Sequence, residues 1–270
     1  MRKIYKEYGK SIWDIYSIKK TFISQNDKFL NRQNAVAKLY KKQPKRKKCK
    51  ACNRNLNSNN FFKSHDVEYT VCKFCSHLNG IYQDTKEFTN KVYTGQIGQK
   101  YSSRYKEKNL DNYLNRLKKI YDPKVKFLKK YFSKRRNLPT VIDIGTGSGY
   151  FTYSLIKNKF PNVVGTDISE EQIKYGQKIF KKTGLNPKAL QFINELDMLS
   201  YIKNIKSEVV CLIGVLEHMH YPREFLNLVK KNNNIKFLYI CVPLFSLSVI
   251  IESNFSNVHN KHLGGTHTHL

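Results

Sequence analysis

Two hydrophobic patterns alternate along the chain after residue 140. Short apolar runs of strand length are separated by segments whose apolar residues recur three and four positions apart, as on one face of a helix. The runs are VIDI (141–144), NVVGTD (162–167), KALQFI (188–193), SEVVCLIGVL (207–216) and IKFLYICVP (235–243). Strands that alternate with helices are typical of a parallel sheet with crossover helices. The sequence therefore predicts an α/β fold here.

The chain before residue 140 is organised differently. Residues 110–132 carry apolar side chains at helical spacing, and we expect Pro123 to break or restart that helix. Residues 81–108 are rich in Tyr, Thr, Gly and Ser, which favours loop or short strand. We divide the chain into a basic helical N-terminal arm (1–48), a zinc-binding module (49–100) and the α/β domain (101–270).

The net charge of +29 is concentrated in residues 1–48 and 100–140, whose net charges are +12 and +11. Such clusters are compatible with RNA or with a phosphorylated or nucleotide-linked substrate, but a solvated surface is the simpler explanation. No apolar run reaches the roughly 18 residues of a membrane span, and the N-terminus has no apolar stretch like that of a secretory signal. We therefore expect a cytoplasmic protein.

A glycine-rich turn follows the first strand and reads Asp143-Ile-Gly145-Thr-Gly147-Ser-Gly149. Turns of this kind bring backbone N–H groups and a helix N-terminus close to a ligand. The third glycine comes one residue too early for the GxGxxG of a dinucleotide site, and no GK[ST] of a P-loop follows. Asp143 would also repel a pyrophosphate, so the turn favours a cationic ligand without phosphates. Asp167, at the end of the second strand, is placed to bind a ribose diol.

Together, VIDIGTGSGYFT, the strand that ends at Asp167, Asp197 and IGVLEHMHYP resemble the class I S-adenosylmethionine-dependent methyltransferases over roughly residues 120–250. The resemblance implies a Rossmann-like sheet and S-adenosylmethionine (SAM) as the cofactor. It implies that the three glycines line the methionine part of SAM, with Asp143 beneath the turn and its carboxylate near the amino group. The other cofactor residues that it implies are Asp167 at the ribose, Asp197 and Met198 at the adenine, and Thr146, Ile168, Val215 and Leu216.

The segment LEHMHYP (216–222) supplies polar side chains after the fourth strand. Ligands of parallel sheets bind beyond the carboxyl ends of the strands, so Glu217, His218 and His220 are candidate catalytic residues. A histidine in this place can act as a general base at neutral pH. The alternative is that Glu217 and His218 orient the cofactor or cap the helix that YPREFLNLVKK predicts. In the tail HNKHLGGTHTHL (259–270), His267 and His269 could close over the acceptor.

Two CxxC pairs, Cys49 with Cys52 and Cys72 with Cys75, are separated by nineteen residues. Four thiolates at this spacing suit one tetrahedral zinc ion, which is structural when the protein fills all four positions. The alternatives are four unligated cysteines, or the replacement of one ligand by His65 or His77. A zinc module ahead of a methyltransferase domain is similar to the sugar C-methyltransferases of deoxysugar and surface-polysaccharide pathways.

These features predict a SAM-dependent methyltransferase that acts on a small molecule, with a sugar or nucleotide-linked sugar as the expected acceptor. The alternatives are an RNA methyltransferase that uses the basic arm and zinc module, and a non-catalytic cofactor-binding scaffold. Exocyclic-amine methylation of nucleic acid usually uses [NDS]PP[YF] after the fourth strand, where this chain has EHMHYP, so nucleic acid is not favoured. Five strands are readable instead of the family's seven, so we expect a fold truncated at its C-terminus.

Overall fold

The computed structural model describes residues 24–56, 62–64, 66–93, 109–242 and 258–259. These residues fall into two compact units. The cysteine unit contains the described part of residues 24–93 together with 217–223 and 258–259, and the sheet unit contains residues 109–216 and 224–241. No helix in the described part of the chain is both long enough and apolar enough to cross a bilayer.

The cysteine unit contains two helices and a small antiparallel sheet. Its elements are helix α1 (Asn26–Tyr40), strands β1 (Phe62–Ser64), β2 (Val67–Val71) and β3 (Leu78–Gly80), and helix α2 (Lys86–Tyr93). β2 is central and pairs antiparallel with both neighbours. The two helices and β2 share one hydrophobic core, made of Val36, Ala37, Tyr40, Val67, Tyr69, Phe88 and Val92.

The residues of this core come from both sides of the boundary predicted at residue 48. Val36, Ala37 and Tyr40 of α1 are almost completely buried with β2 and α2, so α1 packs with the cysteine module. Helix α2 stands where the composition favours loop or short strand. It begins after Thr85, whose hydroxyl accepts the Phe88 N–H at 3.2 Å as a helix cap does.

The sheet unit is built on five parallel strands. They are β4 (Val141–Ile144), β5 (Val164–Asp167), β6 (Leu190–Phe192), β7 (Val209–Ile213) and β8 (Phe237–Cys241). Their order is β6-β5-β4-β7-β8, and every adjacent pair is parallel. β4 is central and all of its residues are buried, which explains its apolar sequence. The predicted α/β class is confirmed, and this strand order is that of a Rossmann-like sheet.

Helices precede and connect these strands. They are α3 (Leu110–Arg116), α4 (Asp122–Tyr131), α5 (Tyr150–Lys157), α6 (Glu170–Lys182), α7 (Met198–Lys203) and α8 (Pro222–Lys231). A π-helical turn (Leu117–Tyr121) joins α3 to α4, and Pro123 lies in the first turn of α4, so the helix restarts there as predicted. Helix α6 begins after Ser169, whose hydroxyl accepts the Gln172 N–H at 3.4 Å as a helix cap does.

An aromatic stack attaches α3 to the glycine turn. The ring of Tyr150 lies between those of Tyr113 and Tyr121, at centroid distances of 4.1 and 5.0 Å. The Tyr113 hydroxyl donates to the Ser148 carbonyl at 3.0 Å. Tyr113 and Tyr150 are both buried, so the stack belongs to the core of the sheet unit.

Some sequence predictions lie outside the described residues. They concern residues 1–23 of the helical N-terminal arm, residues 94–108, His65, the histidines at 267 and 269, and any strands that follow β8 in residues 243–257.

Candidate functional site

The glycine turn lies between the carboxyl end of β4 and the start of α5. Gly145, Gly147 and Gly149 all have positive φ, at +72°, +56° and +80°. A Cβ on Gly145 would collide with Val215, and one on Gly149 would lie 2.7 Å from the Leu190 Cδ1. A Cβ on Gly147 would meet nothing within 4 Å. Packing therefore requires two of the glycines, while Gly147 borders open space that a ligand can enter.

Asp167 is joined directly to this turn. One carboxylate oxygen accepts the Gly147 N–H at 2.7 Å, and the other accepts the Ser169 N–H at 2.8 Å. Burial raises the pKa of Asp167, and the backbone N–H groups of Ser169 and Gly147 oppose that rise. Each carboxylate oxygen has further acceptor capacity, so the same side chain can also bind a pair of ligand hydroxyls.

Asp143 lies beneath the turn and is 1% exposed. One of its oxygens accepts the Thr152 hydroxyl at 2.8 Å, and Thr152 is 2.7 Å from the Thr146 hydroxyl. Burial raises the pKa of Asp143 to about 7, although the hydrogen bonds from Thr146 and Thr152 lower it. Burial therefore disfavours the ionised form of this carboxyl group, and a bound cation nearby would favour it.

The ends of β5 and β6 carry exposed apolar side chains. Ile168 is 41% exposed and Phe192 is 48% exposed, and Phe192 is paired in register with Asp167. Leu196, farther along the chain, is 75% exposed. Asp197 and Met198 follow it, at the end of a 3-10 turn and the start of α7. Nothing in the sequence indicates that Phe192 and Leu196 are exposed, because apolar residues in a strand and beside a turn are usually buried.

The candidate catalytic residues lie in the cysteine unit, in residues 217–223; this segment, loop 217–223, ends with the first two residues of α8. Glu217 is largely buried, and one of its carboxylate oxygens is 4.0 Å from the His218 Nε2. The Lys50 ammonium donates to the Glu217 carbonyl at 3.0 Å. The His220 Nε2 is 2.6 Å from the Thr89 hydroxyl. The structure therefore groups Glu217 and His220 with partners from residues 50–89, which the sequence did not single out, and places His218 beside Glu217.

The four predicted metal ligands converge. The sulfur atoms of Cys49, Cys52, Cys72 and Cys75 all lie within 4.8 Å of one another. The Cys49 and Cys75 sulfurs are 3.6 Å apart, and those of Cys52 and Cys72 are 3.5 Å apart. A tetrahedron of sulfurs around zinc has edges of about 3.8 Å, since each Zn–S bond is about 2.3 Å. The arrangement is thus of the right size for one zinc ion.

The two cysteine pairs adopt the same backbone turn. Asn53, after the first pair, has φ +61° and donates its N–H to the Cys49 carbonyl, and Ser76, after the second pair, has φ +57° and donates to the Cys72 carbonyl. In both turns the first cysteine donates its own N–H to a carbonyl two residues beyond the second cysteine. Two matching turns that present four thiols to one point have the form of a metal-binding knuckle pair.

Buried polar groups support the first knuckle. The Asn79 side chain is 1% exposed; its amide donates to the His77 carbonyl at 2.9 Å and approaches the Cys49 sulfur at 3.5 Å. The same side chain accepts the Lys50 N–H at 3.0 Å. The Lys50 and Arg46 side chains both form ion pairs with Asp84, and all three are largely buried. Burial lowers the pKa of Lys50, and Asp84 opposes that shift.

Comparisons with known proteins agree with the sheet unit. Residues 135–262, a little under half of the chain, match the family model described as a methyltransferase domain. The mouse EEF1A lysine methyltransferase 2 is 42% identical over 64 residues, which are 23% of this chain and 26% of that protein. The chain therefore spans about a quarter of the length of that curated relative.

Two solved structures resemble the chain at low identity. The plantazolicin methyltransferase BpumL, solved with S-adenosylhomocysteine (SAH), is 22% identical with a TM-score of 0.40, over 56% of this chain and 55% of that one. The PH0226 protein from Pyrococcus horikoshii OT3 is 23% identical with a TM-score of 0.33, over 44% of this chain and 57% of that one. The family match over residues 135–262 and the observed strand order agree with the resemblance of the sequence motifs to the class I, SAM-dependent methyltransferases.

Proposed function

We propose that the chain transfers a methyl group from SAM to a small-molecule acceptor, with a sugar or nucleotide-linked sugar as the acceptor type. The observation that carries the proposal is the hydrogen bond between the Gly147 N–H and the Asp167 carboxylate. This hydrogen bond joins the glycine turn after β4 to Asp167 at the end of β5, next to the open space at Gly147. These are the parts that a ligand with a cationic amino-acid end and a ribose requires.

Each part of the cofactor has a partner in this proposal. The open side of Gly147 accommodates the methionine part, and Asp143 below it provides negative charge when ionised. Asp167 receives the ribose hydroxyls, and Ile168 and Phe192 provide an apolar surface for the adenine ring. Thr146, Asp197, Met198 and Val215 complete the cofactor residues that the family resemblance implies.

Methyl transfer from a sulfonium is an in-line displacement. The sulfonium supplies an activated methyl group: its S–C bond breaks as the acceptor nucleophile bonds to the carbon, and SAH leaves as the neutral thioether. A hydroxyl or carbon nucleophile must also lose a proton. Glu217, His218 and His220 are the candidate proton acceptors, because they follow β7 in the chain and an imidazole can take up a proton at neutral pH.

The cysteine unit contributes structure in this proposal. One zinc ion on Cys49, Cys52, Cys72 and Cys75 would join the two knuckles, and four protein ligands leave no position for a substrate. Zinc coordination requires reduced cysteines, which supports a cytoplasmic location.

Calorimetric titration with SAM, SAH and NAD tests the cofactor assignment. We expect SAM and SAH to bind and NAD not to bind. Asp167→Asn should weaken SAM binding by roughly tenfold to a hundredfold, since charge-assisted hydrogen bonds contribute about 1.5–3 kcal/mol each. Asp111→Asn is a matched control on α3 and should bind SAM like the wild type. Equal SAM affinity in the wild type and Asp167→Asn would refute the role of Asp167.

A radiolabelled methyl-transfer screen then tests the acceptor. Nucleotide-linked sugars should be labelled, while total RNA and a lysine-containing peptide serve as competing acceptor classes. Labelling of RNA with strong salt dependence would favour the RNA alternative. Labelling of the peptide would favour a protein-directed activity, as the name of the mouse relative specifies for that protein. SAM binding without labelling of any acceptor would support a non-catalytic scaffold.

A further inference from the structure

Three contacts hold loop 217–223 to the rest of the cysteine unit. At its start, the Lys50 ammonium donates to the Glu217 carbonyl at 3.0 Å. In its middle, the His220 imidazole meets the Thr89 hydroxyl at 2.6 Å. At its end, the Arg223 guanidinium donates to the Ala51 carbonyl at 3.0 Å. Lys50 and Ala51 are the two residues between Cys49 and Cys52, so the first knuckle holds both ends of the loop.

The Lys50 contact is made by a side chain with little freedom. The Lys50 side chain is 7% exposed and forms an ion pair with Asp84. Asp84 is also paired with Arg46, whose guanidinium donates to the Gly80 carbonyl at 3.2 Å. A buried ammonium must be paired and hydrogen-bonded to remain charged. The Glu217 carbonyl completes that requirement, and the loop start is fixed as a result.

The Thr89 hydroxyl lies within hydrogen-bond distance of His220 and of two backbone carbonyls. Thr89 is buried on α2, and its hydroxyl lies 3.0 Å from the Thr85 carbonyl and 3.1 Å from the Lys86 carbonyl. A hydroxyl has a single proton to donate, and the two carbonyls can only accept it, whereas Nε2 of a neutral imidazole donates or accepts according to the tautomer. When the Thr89 proton is donated to a carbonyl, the Thr89 oxygen accepts a hydrogen bond from His220, and this arrangement requires a proton on Nε2. The lone pair of the neutral imidazole is consequently on Nδ1.

We propose that Thr89 is a positioning residue that holds His220 as the Nε2–H tautomer, so that Nδ1 is the atom that receives the acceptor's proton. The proposal rests on the proposed methyl-transfer function for its consequence, but not for its geometry. Proton uptake at Nδ1 leaves the Nε2–H bond to Thr89 unchanged. The ring therefore keeps one orientation before and after proton transfer, as a general base requires.

Nitrogen-15 spectra of the histidine side chains test the tautomer directly. The His220 signals are identified as those that disappear in His220→Gln. We expect neutral wild-type His220 to show a protonated Nε2 and an unprotonated Nδ1. Thr89→Val keeps the shape of the side chain but puts a methyl group against Nε2–H, so the tautomer should shift toward Nδ1–H. Thr89→Ser keeps the hydroxyl and should restore the wild-type spectrum.

Kinetics with a labelled acceptor test the consequence. Thr89→Val should lower kcat at least tenfold and leave the Kd for SAM within about twofold, since general-base catalysis contributes about 10²–10⁴-fold. Thr89→Ser should recover most of kcat. An Nδ1–H tautomer in the wild type, or an unchanged spectrum and kcat in Thr89→Val, would overturn the proposal. A loss of SAM affinity as large as the loss of kcat would also overturn it, because it indicates general damage to the fold. If no acceptor is methylated at all, the proposed function fails, and the imidazole spectra alone decide the role of Thr89.

Discussion

Replacing Gly147 with alanine separates cofactor binding from folding. A Cβ at this position meets nothing within 4 Å, so the added methyl group does not collide with the protein. The backbone at φ +56° is unfavourable for alanine by roughly 1–2 kcal/mol. The lower conformational entropy of the unfolded variant offsets about 0.4–1 kcal/mol of that cost. We therefore expect the free energy of unfolding to fall by roughly 0–1.6 kcal/mol.

The effect of Gly147→Ala on SAM binding should be larger. If the methionine part of SAM occupies the open space at Gly147, the new methyl group overlaps it. An overlap of one methyl group in a packed site is unfavourable by about 1–3 kcal/mol. This corresponds to a Kd for SAM that rises by roughly five- to 150-fold. Calorimetric titration measures the Kd, and urea denaturation measures the free energy of unfolding in the same preparation.

Gly184→Ala is the matched control for this prediction. Gly184 follows α6, has φ +72°, and a Cβ there also meets nothing within 4 Å. The variant should lose a similar amount of stability and bind SAM like the wild type. Wild-type affinity in Gly147→Ala would show that the cofactor does not occupy this space. An equal loss of affinity in both variants would show that backbone strain, rather than overlap with the cofactor, weakens binding.

Three further predictions concern packing, metal and pH. Gly149→Ala places a methyl group against Leu190 at φ +80°, and urea denaturation should show a loss of roughly 2–4 kcal/mol; a wild-type midpoint would contradict the packing of the turn. Cys72→Ser should lower the zinc content from one ion per chain to none, whereas Cys241→Ser should keep one ion, as measured by elemental analysis; retention of zinc in Cys72→Ser would refute the four-cysteine site. The folded pKa of Asp143, about 7, exceeds the unfolded value of about 3.9. Wild-type stability should therefore fall as the pH rises from about 3.9 to about 7, by up to about 1.4 kcal/mol per pH unit, and should level off at higher pH. Asp143→Asn should show no such fall, and parallel stability curves for the two proteins would refute the burial of an ionisable carboxyl group.

Local patterns predicted the sheet unit well. Five apolar runs gave the strands, and Asp167 was correctly placed at a strand end, because strand length, periodicity and glycine turns are properties of neighbouring residues. Spacing likewise indicated the four cysteines, whose sulfur atoms converge. The CxxC pairs did not reveal the shared turn geometry. Asn53 and Ser76 both have positive φ, a conformation for which glycine is the usual residue.

The contacts of the candidate catalytic loop were not predictable from the sequence. Thr89 and His220 are 131 positions apart, and Lys50 and Glu217 are 167 apart. No periodic pattern relates residues at such separations. Within its own segment, none of these side chains indicates its distant partner. The helical position of Thr89 was also hidden, because the composition of residues 81–108 favours loop or short strand over helix.

The tyrosine stack shows where a fragment of this protein can begin. The family match starts at residue 135, but α3 and α4 lie before it and contribute Tyr113, Val125 and Leu128 to the buried core. A fragment cut at the start of the match would remove the rings that stack on both faces of Tyr150 and the hydroxyl that binds the Ser148 carbonyl. The smallest fragment that keeps the glycine turn supported therefore begins near Asn109, the capping residue of α3.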